Sequence, residues 1–81
     1  MILPTKHIRA DRALLSVGAE LLGLLRHPMT VSRLWDRFRE RRGNLSGVAP
    51  VTYDWFVLTL DLLFIMGAVG LEDGLLRKAK P

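Results

Sequence analysis

From Tyr53 to Met66 the chain breaks its apolar run only at Asp54, Thr59 and Asp61, and it contains no Lys or Arg there. A helix that is hydrophobic nearly all round has to be covered on more than one side. A membrane is a poor cover for it. The apolar run Trp55–Leu71 is shorter than the ~20 residues needed to span hydrocarbon, and a carboxylate such as Asp61 near a bilayer centre costs about 3 kcal/mol or more. A buried helix in a small protein domain is the better reading. Yet the chain has only 81 residues and is 49% hydrophobic, which is more than so small an interior can hide. Some apolar surface should remain outside and meet a partner.

At 100° per residue from Tyr53, Leu63, Phe56, Leu60, Tyr53, Phe64 and Val57 fill one broad arc, the expected core face. Asp61 and Asp54 form a narrow stripe. Beyond it Ile65, Leu58, Leu62, Trp55 and Met66 make a second apolar arc, to be packed either within the domain or against another protein.

Local start and stop signals order the rest of the chain. Residues 1–10 read as an extended arm, since Pro4 disfavours helix before it and Thr5 and Ile8 are β-branched. Asp11 is the expected N-cap of a first helix from Arg12 to about Arg26, with Leu14, Val17, Leu21 and Leu25 at helical spacing and Leu15 and Leu22 widening the stripe. Pro28 stops it. Met29-Thr30-Val31 is a short β-like piece, and Ser32 is the expected cap of a second helix, Arg33 to Arg42, with Leu34, Trp35 and Phe38 inward. Residues 43–50 form a loop rich in turn formers. Thr52 caps the third helix, Tyr53 to Met66, which Gly67 closes. Asp73-Gly74 between two apolar runs signals a β-hairpin. Three helices followed by a hairpin predict a mainly α fold with a small β-hairpin, a single winged-helix domain over residues 11–81 preceded by the arm.

Catalytic chemistry is hard to build from this sequence. It has no cysteine and only two histidines, His7 and His27, neither in a spacing that would complete the three or more ligands of a zinc site. No Gly-rich phosphate loop precedes a helix, and no serine has an evident His–acid pair. No enzyme activity, metal, cofactor or small-molecule substrate is expected. The N-terminal stretch is too short in apolar residues for a secretory signal, and the lack of cysteine suits a reducing cytoplasm.

Charge is unevenly distributed. Residues 1–50 carry nine basic and four acidic side chains, whereas residues 51–76 carry four acids (Asp54, Asp61, Glu72, Asp73) and no cation. A DNA-reading helix presents Arg, Lys, Asn or Gln to base edges; the third helix has none, and its aspartates would repel phosphate. The second helix is the opposite, with Arg33, Arg37 and Arg41 in an i, i+4 row and Arg42 at its end. Asp36 and Glu40 partly neutralise the row. These four arginines are the candidate anion or DNA-backbone contacts, suited to positioning rather than base readout.

Several segments together resemble a known family. They are Met1-Ile-Leu-Pro-Thr-Lys-His-Ile-Arg, the following Arg12-Ala-Leu-Leu-Ser-Val-Gly-Ala-Glu-Leu-Leu, Thr30-Val-Ser-Arg-Leu-Trp-Asp-Arg-Phe, and Tyr53-Asp-Trp-Phe-Val-Leu-Thr-Leu-Asp-Leu-Leu. The chain resembles the small middle component, type six, of bacterial ABC-three-component systems, which are similar to Lamassu-type antiviral defence. The resemblance implies a role and no reaction. It points to an accessory subunit acting against plasmids or phage, bridging or regulating a Rad50- or SMC-like ABC ATPase and an effector subunit, often a nuclease. DNA would then be met through the complex. Candidate protein contacts come from the arm and the second apolar arc: Ile2, Leu3, Pro4, His7, Trp55, Leu58, Leu62 and Ile65. The alternative is a stand-alone winged-helix DNA-binding regulator using the second helix.

Overall fold

The computed structural model describes residues 10–44 and 51–79, so residues 1–9 of the predicted arm and most of the predicted loop lie outside the described residues, while Ala10, expected in the arm, is the first residue of the first helix. Three helices, α1 (Ala10–Leu24), α2 (Val31–Gly43) and α3 (Tyr53–Ile65), are followed by a two-stranded hairpin, β1 (Val69–Glu72) and β2 (Leu75–Lys78). This is the predicted winged-helix order.

The punctuation is partly where the sequence put it. Thr52 is the N-cap of α3, with extended backbone and its Oγ1 accepting the Trp55 N–H at 3.2 Å. At the other end Met66 is the C-cap, and the N–H groups of Gly67 and Ala68 donate to the carbonyls of Phe64 and Leu63. That reciprocal pair is a Schellman closure, and it needs the left-handed backbone that Gly67 adopts at φ 75°. The hairpin turns through Asp73 (φ 54°) and Gly74 (φ 78°), the two positive φ values that a tight, right-twisting hairpin turn requires. Its register pairs Val69 with Lys78 and Glu72 with Leu75.

Two predicted caps are corrected. Asp11 already lies within α1, so the helix starts earlier than its expected cap, and it ends at Leu24, short of Arg26. The cap of α2 is Thr30, whose Oγ1 accepts the Arg33 N–H at 3.1 Å, and not Ser32, which lies inside the helix. The wing decides this. Met29 pairs with Leu76 through two backbone hydrogen bonds, 3.1 and 2.7 Å. Holding Met29 extended leaves Thr30 as the last non-helical residue. The predicted β-like piece is therefore one bridge, which ties the α1–α2 connection to the hairpin.

The core draws Ala13, Val17, Leu21 and Leu25 from α1 and its end, Leu34 and Phe38 from α2, Trp55, Phe56, Leu60 and Leu63 from α3, and Met29, Val69 and Leu76 from the wing. Ala13 takes the place expected for Leu14, which is half-buried, and Leu15 is exposed. Gly18 lets α1 and α3 close on each other: a Cβ there would sit 3.3 Å from Leu63 Cδ2 and 3.7 Å from Thr59 Cγ2. The α2 and α3 helices meet through rings instead. Trp35 lies edge-on to Tyr53 at 5.1 Å and tilted against Phe56 at 5.0 Å, and Phe38 meets Phe56 at 6.1 Å.

Candidate protein-interaction surfaces

The third helix turns differently from its expected orientation. Its buried residues are Trp55, Phe56, Thr59, Leu60 and Leu63, an arc rotated by about 70° from the predicted core face. Two local facts allow it. Thr59 is fully buried because its hydroxyl donates to the Trp55 carbonyl at 2.8 Å, which satisfies the polar atom inside the apolar packing. Gly18 opposite leaves room for it. Trp55, assigned to a partner, is instead 2% exposed in the core, and its indole N–H has no acceptor among the described residues.

The rotation moves other residues outward. Tyr53 and Phe64, expected inside, are exposed, and so are Leu58 (39%), Ile65 (83%) and Met66. Leu62 and Val57 are half-buried. The open face of α3 is thus an apolar surface crossed by exposed Asp54 and Asp61, and Leu71 on β1 adds a further exposed apolar side chain. Of the predicted protein contacts, Leu58 and Ile65 lie on this face, Leu62 at its edge, and Trp55 behind it. Ile2, Leu3, Pro4 and His7 lie outside the described residues. Tyr53 and Phe64 belong to the surface although the sequence reading put them inside. A helical wheel gives the width of an apolar arc, but its phase depends on the neighbours.

The arginines of α2 separate into two kinds. Arg42 points back to α1 and grips Glu20 with two hydrogen bonds, Nη2 to Oε1 at 2.7 Å and Nε to Oε2 at 3.2 Å. Its side chain is only 12% exposed and lies over the Phe38 ring at 5.4 Å. Such a forked, charge-assisted contact is structural; it ties α2 to α1. Arg39 pairs with Asp36 at 2.7 Å and covers the Trp35 ring. Arg41 is loosely placed, 4.0 Å from Glu20. Arg33 and Arg37 are exposed, with no carboxylate within ion-pair distance among the described residues. The predicted anion row therefore keeps Arg33, Arg37 and Arg41 at the surface and loses Arg42 to the fold.

Among the described residues no group of His, Cys, Asp or Glu could hold a metal ion, and no helix is long and apolar enough to cross a membrane. At the wing, Arg77 bonds Glu72 across the hairpin, and Glu72 and Asp73 stand at the exposed tip. A duplex approaching as winged helices usually meet it would face these acids and the two aspartates of α3.

No curated protein and no solved structure matches the chain. Residues 3–79 match the family model of the ABC-three component (ABC-3C) system Middle Component 6, and the chain therefore belongs to that family.

Proposed function

We propose that the protein is a non-catalytic accessory subunit of a bacterial defence complex, bridging or regulating a Rad50/SMC-like ABC ATPase and its effector through protein–protein contacts. Family membership makes it a middle component, one part of a multi-subunit system. The observation that carries the finer reading is the open face of α3. In a winged helix that reads DNA this face carries cations and amides for the groove. Here it carries Leu58, Phe64, Ile65 and two aspartates, a surface suited to a polypeptide.

Co-expression with the ABC ATPase component of its system tests this. The expected result is a stable complex that Ile65→Asp or Leu58→Asp abolishes while each variant keeps its helical content. A chain that stays monomeric and fails to bind that ATPase overturns the reading. The second reading, a stand-alone duplex-binding regulator, rests on the exposed Arg33, Arg37 and Arg41. It requires salt-sensitive duplex affinity, with log K falling steeply against log salt, that is lost when those three are neutralised.

A further inference from the structure

The α1 and α2 helices leave a furrow between them that neither the core nor the α3 face explains. It encloses about 520 Å³ and is lined by Ser16, Ala19, Gly23 and Leu24 of α1 with Glu20, and by Arg37 and Arg41 of α2, with Arg26 at its end. Glu20, the one acid among these, is already gripped by Arg42. Arg26 and Arg37 have no carboxylate within ion-pair distance among the described residues, and Arg41 has only the 4.0 Å approach to Glu20. The charge that faces an incoming ligand is therefore positive.

The floor of the furrow gives the shape of that ligand. α1 has two glycines, Gly18 in its interior, where it is costly to helix stability relative to Ala, and Gly23 in its last turn, one residue before the helix ends. Gly18 is explained by α3, which packs against it. Gly23 is not, since a Cβ there meets nothing within 4 Å. With Ser16 and Ala19 it forms a row of small residues at 16, 19 and 23, one helix face, beneath the arginines. Small residues let a second backbone come close, and a furrow between two packed helices is the natural seat for a third.

We propose that this furrow is the docking site for an acidic helix of a protein partner, its backbone over Ser16, Ala19 and Gly23 and its carboxylates on Arg26, Arg37 and Arg41. DNA fits less well. A duplex, far wider than one helix, would rest on the rims without reaching the small residues. The furrow lies on helices other than α3, so a bridging protein would hold two partners on surfaces of opposite charge.

The test uses the full chain, isotope-labelled, titrated with an Ala-rich peptide of about 20 residues, long enough to be helical in water, with glutamates at i, i+4 spacing. Amide shifts should centre on Ser16, Ala19, Gly23, Arg37 and Arg41. Arg37→Gln with Arg41→Gln should weaken binding by about tenfold or more. Gly23→Leu, which leaves the charge unchanged and favours the helix, should block it comparably by filling the furrow. Shifts that fall elsewhere or are absent overturn the proposal. So does undiminished binding by Gly23→Leu, or a DNA duplex that displaces the peptide and produces the same shifts more strongly. The titration needs no ABC ATPase, so its failure leaves the α3 reading standing, and loss of ATPase capture leaves the furrow standing.

Discussion

Arg42 and Arg33 sit on the same helix with the same guanidinium, yet their surroundings give them different work. The Arg42 side chain is largely buried, with both ends of its fork on Glu20 and its plane over Phe38. Removing it leaves a half-buried carboxylate with, among the described residues, only Arg41 at 4.0 Å to answer it. Arg42→Ala should destabilise the domain by about 1.5–3 kcal/mol, the range for a hydrogen bond to a charged group. Arg33→Ala should stay within about 0.5 kcal/mol, as exposed substitutions do. Urea unfolding of both variants, with Glu20→Gln to close a double-mutant cycle, measures the difference; equal midpoints for the two arginine variants would contradict the assignment.

Each element depends on contacts that can be tested one at a time. The start of α2 is set by Thr30, whose hydroxyl accepts the Arg33 N–H, whereas Ser32 is already helical and exposed. Thr30→Ala should cost about 1 kcal/mol and Ser32→Ala a few tenths at most, and thermal melts of the two separate the caps. Between α1 and α3 the tolerance is steric. At Gly18 a methyl group meets Leu63 Cδ2 at 3.3 Å, so Gly18→Ala should be close to neutral, its helix gain offset by the push on Leu63. Gly18→Leu overpacks the contact and should cost on the order of 1–3 kcal/mol. The same substitution at Gly23, over open furrow, should not destabilise.

At the scale of the whole molecule, one small core holds all five elements, and Phe56 sits where α2 and α3 meet, fully buried and in ring contact with Trp35, Phe38 and Tyr53. Phe56→Ala should cost about 3–5 kcal/mol, a large share of the order of 5–10 kcal/mol available to a domain this size. Its melting temperature, followed by circular dichroism, should fall by on the order of 15–30 °C. The exposed apolar face has the opposite sensitivity. Replacing Ile65 and Leu58 with Ser should leave the melting temperature nearly unchanged and raise the solubility of the free chain, which concentration-dependent light scattering would show. A drop in melting temperature as large as that of Phe56→Ala would mean the face is part of the core.

The element order, Thr52 and Gly67 at the ends of α3, the Asp73-Gly74 turn and the cation-free stretch from 51 to 76 all follow from residues close together in sequence, because caps, turns and charge runs act over a few bonds. The family resemblance likewise needed nothing beyond the order of side chains. Tertiary structure decided what lies between the elements. Gly18 and the back-bonded Thr59 set the rotation of α3, taking Trp55 inside and bringing Phe64 and Tyr53 out. The wing, pairing with Met29, moved the α2 cap to Thr30. Glu20, 22 residues from Arg42 in the chain, took that arginine out of the anion row. Helical phase and ion-pair choice depend on which neighbours are within a few ångströms, and that proximity exists only once the chain has folded.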